Sequence, residues 1–276
     1  MTDQELLQGI ARIAQNAGEE ILAVYHDDAP LDVSLKEDDS PLTLADSKAN
    51  AVIVAGLKQL DAVMPVVSEE SEMPPFEQRS QWHRYWLVDP LDGTKEFISR
   101  NGEFTVNIAL VERGVPVLGV VHVPVTDVTY YGGSAVAGAW RVEAGKDAEA
   151  LQPRPIEEAT TLARFVASRS HRGVQVDQLI QQAATRFDAI EVVSMGSSLK
   201  MCLLAEGKAD CYPRLAPTSE WDTAAAHAVL HAVGGEIVKT DFQPLRYNQK
   251  PDILNPHFIA LADPAFAWEE LLKPAL

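Results

Sequence analysis

The chain has 276 residues, 46% of them hydrophobic, enough to build one large α/β core or two moderate ones. A formal charge of −17, from 23 basic and 40 acidic residues, argues against a nucleic-acid polymer as partner, because gripping its backbone takes clustered Lys and Arg. Two cysteines, Cys202 and Cys211, make neither a metal-type CxxC pattern nor a disulfide framework, and there is no signal-type N-terminus and no apolar run long enough to span a membrane. These features point to the cytosol, with peripheral attachment at the inner face of the cell membrane left open and the oligomeric state unassigned.

In residues 3–26, Leu6, Ile10, Ile13, Ala14, Ala17, Ile21 and Val24 recur at helical spacing. Residues 36–41 read as a mobile polar loop, and a second helix runs from Leu44 to about Leu60. A short strand at 63–68 ends in Glu69-Glu70. Tyr85-Trp86-Leu87-Val88 is a buried strand that stops at once in Asp89-Pro90-Leu91-Asp92-Gly93-Thr94, a run of turn residues. Residues 104–110 alternate as a strand, Arg113-Gly114 is a hairpin turn into a second strand at 115–123, and 128–131 and 135–142 continue the β-rich section. The acidic, Pro-containing stretch 143–158 reads as the connection between two halves. Beyond it strands at 162–167, 190–194, 209–212 and 236–238 alternate with helices at 176–186, 197–206 and 221–232. The fold class is α/β, with an α+β first half (1–150) and an α/β second half (151–276).

Asp89 and Asp92 stand three residues apart at a strand end, followed by Gly-Thr. Mg²⁺ binds through one or two carboxylates plus substrate phosphates, and N–H groups at a Gly turn opening a helix hold a phosphate. Glu69 also follows a strand, although Glu69-Glu70 alone reads as a solvated charge pair. Asp46 and Asp222 open helices, and a capping box explains an acid at each place without any further role. Taken together they differ from that plain reading, because strand ends and helix starts of an α/β protein converge on one crevice. Carboxylates meeting there repel unless cations neutralise them.

Asp-Pro-Leu-Asp-Gly-Thr at 89–94, Glu69-Glu70 upstream and Trp221-Asp222-Thr223 downstream resemble the signature set of the inositol monophosphatase superfamily, Mg²⁺-dependent and typically lithium-sensitive phosphatases. Lys95-Glu96-Phe97-Ile98 resembles the 3′(2′),5′-bisphosphate nucleotidases of the CysQ type, where inositol monophosphatases usually carry Thr-Asn-Phe. The resemblance implies a layered αβαβα sandwich of the inositol monophosphatase/fructose-1,6-bisphosphatase type, with metal bound by the first half and substrate by the second. It implies Mg²⁺ ligands at Glu69, Asp89, the Leu91 carbonyl, Asp92 and Asp222, with Glu69 and Asp222 also bordering the substrate. Asp46 and Thr94 match a water-activating pair, and Gly93 and Thr94 match donors to the scissile phosphate.

Ser168 and His171, in a segment that otherwise reads as a polar surface loop, match nucleoside contacts. Gly196 and Lys200 match residues that hold the other phosphate. Lys200 in the first turn of a helix opposes the helix dipole, and a phosphate there would reverse that. The implied reaction is hydrolysis of the 3′-phosphate of adenosine 3′,5′-bisphosphate (PAP) to AMP, with two or three Mg²⁺ ions and inhibition by lithium. The resemblance also offers the phosphorylated sulfate donor (PAPS) of the same sulfur-assimilation pathway as a second substrate. The alternatives are an inositol or sugar phosphatase on the same core, and a non-catalytic nucleotide sensor, whose mark would be a missing metal acid.

Overall fold

A computed structural model describes residues 1–27, 33–35, 41–168 and 173–276. Helix α1 (Asp3–Tyr25) starts in a capping box, in which Thr2 N–H donates to the Glu5 carboxylate and Glu5 N–H to the Thr2 hydroxyl. Its inward face buries Leu7, Ile10, Ala14, Ala17 and Ile21 completely. A two-stranded antiparallel ribbon, β1 (Val33–Leu35) and β2 (Pro41–Thr43), leads into α2 (Leu44–Leu60), which packs along α1 through Ala45, Ala49, Ile53 and Leu57. Of the expected loop at 36–41, residues 36–40 lie outside the described residues and Pro41 begins β2.

Seven strands follow in one sheet: β3 (Val66–Ser68), β4 (Arg84–Asp92), β5 (Thr105–Glu112), β6 (Val115–Val123), β7 (Val128–Gly133), β8 (Gly138–Glu143) and β9 (Glu149–Ala150), in spatial order 3-4-5-6-7-8-9. Only β3 and β4 pair in parallel. Short helices α3 (Phe76–Arg79) and α4 (Thr94–Ile98) lie in the connections on either side of β4. The turn at Arg113-Gly114 has φ of +48° and +78°, the double left-handed conformation of a two-residue hairpin. The stretch 143–158 is not only a connection: β9 pairs Ala150 with Trp140 and Glu149 with Arg141. An edge strand exposed on both faces has no apolar alternation to betray it, and its charge discourages further pairing.

The second sheet holds β10 (Leu162–Ser168), β11 (Ala189–Met195), β12 (Cys211–Arg214), β13 (Glu236–Lys239) and β14 (Phe258–Leu261), in the order 11-10-12-14-13. Helices α5 (Val174–Ala183), α6 (Leu199–Ala205) and α7 (Glu220–Ala232) connect them, and α8 (Trp268–Leu272) follows the last strand. Among the described residues, no helix is long and apolar enough to cross a membrane.

Successive residues of a strand face different cores. On β4, Trp86 and Val88 pack with α1 and α2, while Tyr85 and Leu87 face the opposite way, toward α6 and α7. On β10, Val166 faces that same middle layer, while Ala163 and Phe165 meet Leu179 of α5 and Trp268 of α8. The result is the five-layer αβαβα sandwich, and strands covered on both faces read as unbroken apolar runs. The alanines of α7 let it lie close against the first sheet. A Cβ placed on Gly119 would stand 2.1 Å from the Ala225 carbonyl oxygen, so only glycine fits there.

His122 of β6 is 3% exposed, packs against Gly18 of α1 and places Nδ1 3.0 Å from Thr129 Oγ1. Burial pushes its imidazole from 6.5 down to about 4. Below the unfolded-state value the unfolded chain takes up a proton that the folded chain refuses. The stability this residue contributes is therefore whole above about pH 6.5 and is lost as the pH falls toward 4. Urea unfolding at pH 7 and pH 4.5 is expected to show the native chain losing about 2–3 kcal/mol more than His122→Gln over that interval. Identical losses in the two proteins would refute a neutral buried imidazole.

Candidate active site

The composition after Val88 predicts an immediate turn, yet β4 runs on to Asp92. Its pairing with β5 is regular to Asp89–Asn107, then slips before Asp92–Thr105. Pro90 has no N–H to give to a ladder, and the slip removes it from one. Within this irregular stretch Leu91 N–H donates to Asp89 Oδ1 at 3.0 Å, so the same local distortion fixes the Asp89 carboxylate. Gly93 closes the strand at φ +96°, where a Cβ would press within 3.2 Å of the Glu103 carbonyl oxygen.

Thr94 opens α4, and its hydroxyl donates to Asp46 Oδ1 at 3.4 Å. The other oxygen of Asp46 accepts the Thr43 N–H at 2.7 Å and the Thr43 hydroxyl at 2.6 Å. Asp46 thus caps α2 and faces Thr94 at the same time, so the structural and chemical readings of this residue coexist. Glu69, one residue beyond β3, gives its backbone N–H to the Val88 carbonyl at 3.1 Å, which sets it beside Asp89. Asp222, in the first turn of α7, accepts the Ser219 N–H at 2.9 Å, again both cap and wall of the crevice.

The electrostatics follow from this crowding. Asp89 is 2% exposed; burial first, then repulsion from Glu69, Asp92 and Asp222, pushes its carboxyl well above the usual range. Desolvation pushes Asp92 up to about 6, against the pull of Lys200 and the Ser198 amide. Asp222 is raised by desolvation and then by Asp92. Three buried carboxylates destabilised first by burial and then by neighbouring acids, with Glu69 and the Leu91 carbonyl alongside, form an all-oxygen donor set suited to a hard divalent cation such as Mg²⁺. Among the described residues no three of these carboxylates bring ligand atoms within 4.8 Å of one another, and Asp92 and Asp222 line a cavity.

That cavity, about 130 Å³, is lined by the acids Asp92, Glu96 and Asp222 together with Gly93, Gly196, Ser197, Lys200 and Arg214. Lys200 is 6% exposed; its Nζ donates to the Ser197 carbonyl at 2.6 Å and the Met195 carbonyl at 3.3 Å and lies 5.6 Å from the Tyr212 ring centre. Burial pushes its ammonium down to about 8. The Gly196 N–H, expected to face a phosphate, donates instead to Glu103 Oε2 at 2.7 Å. A Cβ on Gly196 would come within 2.8 Å of the Glu103 carbonyl oxygen, so this glycine seats its loop against Glu103. Ser168 ends β10, its side chain outside the described residues, as is the whole of His171.

Two features escaped the sequence reading. Arg214, at the end of β12, lines the cavity, its guanidinium held by the Ala216 and Pro217 carbonyls at 3.2 and 3.0 Å. Its signal was position: it ends a strand of the second sheet that the sequence had terminated two residues early. The other is a buried polar network around Asp92. Ser198 N–H donates to Asp92 Oδ2 at 2.6 Å, Ser198 Oγ donates to Asn107 Oδ1 at 2.9 Å and lies 2.9 Å from Thr105 Oγ1. Asn107 Nδ2 reaches the same Asp92 oxygen at 3.4 Å. In the sequence Thr105 and Asn107 are ordinary polar beats of an alternating strand; burial of both faces of β5 gives them their meaning.

Known proteins resemble this chain over nearly its whole length. The inositol monophosphatase family profile matches residues 2–270. The 3′(2′),5′-bisphosphate nucleotidase CysQ of Salmonella typhimurium is 47% identical over 255 residues, 92% of this chain and 98% of the relative. The protein of that name from Haemophilus influenzae is 35% identical, covering 98% of both chains. Among solved structures, CysQ from Bacteroides thetaiotaomicron, described as a bacterial member of the inositol monophosphatase family, superposes with a TM-score of 0.78 at 43% identity, over 94% of this chain and 97% of that one. The extragenic suppressor protein suhB of Bartonella henselae, at 21% identity and a TM-score of 0.75 over 99% of this chain and all of that one, shares the fold. With the match running almost from end to end, the chain belongs to the inositol monophosphatase family.

Proposed function

We propose that this enzyme is a 3′(2′),5′-bisphosphate nucleotidase that hydrolyses the 3′-phosphate of adenosine 3′,5′-bisphosphate to AMP and phosphate. The observation that carries the reading is one cavity lined both by acids, Asp92, Glu96 and Asp222, and by the cations Lys200 and Arg214. A substrate with two phosphates needs both. Sequence identity of 47% to curated nucleotidases of this name supports the same assignment. The phosphosulfate PAPS is the proposed second substrate, and recycling of PAP in sulfur metabolism the proposed setting.

The division of labour we propose puts the metal in the first half (1–150), joined by Asp222, and substrate recognition in the second (151–276). Glu69, Asp89, the Leu91 carbonyl, Asp92 and Asp222 would hold two or three Mg²⁺ ions, with lithium as inhibitor. Bound Mg²⁺ supplies charge neutralisation at the scissile phosphate and a lowered pKa for the attacking water. Thr94 Oγ1 gives its hydrogen to Asp46 and keeps lone pairs to receive a water proton, and Asp46 stays oriented because Thr43 holds its other oxygen. The Gly93 and Thr94 amides face the scissile phosphate. Lys200 and Arg214 balance the second phosphate, and Ser198 and Asn107 fix the rotamer of Asp92. Ser168 and His171 contact the nucleoside.

The deciding assay is phosphate release from adenosine 3′,5′-bisphosphate and from inositol 1-phosphate, side by side, with and without Mg²⁺. A Mg²⁺-dependent preference for the nucleotide is expected; a preference for the inositol ester would overturn the nucleotidase reading and leave the phosphatase standing. Thr94→Ala is expected to lower kcat by roughly 10²–10⁴-fold with little change in KM, the range of a lost proton acceptor; a normal kcat would remove Thr94 from the chemistry. Lys200→Ala is expected to cost roughly 10–100-fold in kcat/KM for the bisphosphate, the value of a charge-assisted hydrogen bond, and far less for 3′-AMP, which lacks the second phosphate. An equal loss on both substrates would assign Lys200 to the scissile group.

A further inference from the structure

The far end of α7 carries a second constellation. His227 and His231 lie one turn apart, and Glu236 opens β13 just after the helix. Their ligand atoms all fall within 4.8 Å of one another. His227 Nε2 is 2.7 Å from Glu236 Oε1, and His231 Nδ1 is 3.3 Å from Glu236 Oε2. Measured along the helix, His227 and His231 are roughly 8 and 14 Å from Asp222, at 1.5 Å per residue. None of the three is among the residues assigned to phosphate hydrolysis.

Hydrogen bookkeeping makes this cluster more than a salt bridge. The Thr223 hydroxyl donates to the Glu220 carbonyl at 3.2 Å and so spends its single hydrogen. Its oxygen therefore accepts, from Asn255 Nδ2 at 3.1 Å and from the Tyr247 hydroxyl at 3.1 Å. Tyr247 has then spent its own hydrogen, and its oxygen accepts from His227 Nδ1 at 3.0 Å. The proton of a neutral His227 is thereby fixed on Nδ1. Its Nε2 lone pair points at a carboxylate oxygen 2.7 Å away, and two acceptors at that distance repel unless a cation stands between them. Burial of the ring, 2% exposed, is the largest influence and disfavours the imidazolium; the Glu236 carboxylate pulls the other way, and His231 and Arg246 disfavour it further.

We propose that His227 Nε2, His231 Nδ1 and Glu236 form a binding site for a divalent transition metal of the Zn²⁺ class, separate from the carboxylate site. Two imidazoles and one glutamate are a recurrent zinc ligand set that leaves a fourth position to water, and two histidines four residues apart on one helix face are its usual spacing. The Tyr247 contact is the outer hydrogen bond that fixes the tautomer of a metal-bound histidine. His231, its side chain 37% exposed, gives the ion a way in. Because Arg246 opposes added positive charge, holding the ion falls to direct coordination rather than to the surrounding field.

The test is calorimetric titration of Zn²⁺ into the full-length protein with excess Mg²⁺ present to saturate the carboxylate site. One Zn²⁺ per chain is expected, weakened at least about tenfold in His231→Ala and in Glu236→Gln, and by about 10–100-fold in Tyr247→Phe, which keeps the ring and removes only the hydroxyl. His231 is at the surface and Gln keeps the shape of Glu, so both variants report on ligation and not on folding. Unchanged Zn²⁺ affinity in these variants would place the ion elsewhere and overturn the proposal. Absence of Zn²⁺ binding by the native protein would also overturn it and leave a protonated His–Glu–His cluster.

Discussion

Like charges gathered in one crevice are the constraint on which this architecture turns. Burial and the neighbouring acids raise the pKa of Asp89, Asp92 and Asp222, and nothing in their own chemistry keeps them together. The chain holds them by spending backbone. A slipped ladder grips Asp89 through the Leu91 amide, a strand end fixes Glu69, and the first turns of two helices carry Asp46 and Asp222. Helix starts are favourable places for anions, because their free N–H groups and dipoles meet negative charge. The capping boxes therefore stabilise helices and carboxylates with the same hydrogen bonds.

Much of this was legible before any coordinates. The α1 and α2 helices, the run at 85–88 and the alternating segments of the second half follow from periodicity, and the acids were found at strand ends and helix starts where a crevice forms. What stayed hidden depends on tertiary context. Strand β14 is four residues long and lies beyond some twenty residues of irregular chain. Its burial between two layers comes only from neighbours far away in sequence. Thr105 and Asn107 look solvent-facing in an alternating strand until α7 covers that face. Arg214 looks like a surface cation until its strand is seen to end at the cavity. The turn expected at Asp89 is the instructive case: Pro, Asp and Gly did mark an irregularity, but it sits inside a strand and not after it.

The two cations of the cavity are oriented differently from the acids they face. Lys200 and Arg214 lean on main-chain carbonyls, Ser197 and Met195 for one, Ala216 and Pro217 for the other. Among the described residues neither makes a side-chain salt bridge that would have to break before a phosphate arrives. Glu103, in contrast, occupies the Gly196 amide. The cations of the site are preorganised, and the Gly196 amide expected to join them is held by an internal carboxylate.

One contact ties the layers to the chemistry. The carbonyl of Ala225 rests on Gly119 so closely that no side chain can intervene, and Ala225 lies one turn along the same rigid helix from Asp222. The distance between the first sheet and α7 is thus also the distance between Asp222 and the acids of β4. A residue at the centre of a strand, chemically inert and remote from solvent, sets the bore of the site. In a screen for inactive variants, position 119 would register beside the acids themselves, and its glycine would be inherited as strictly as a ligand for a reason written entirely in packing.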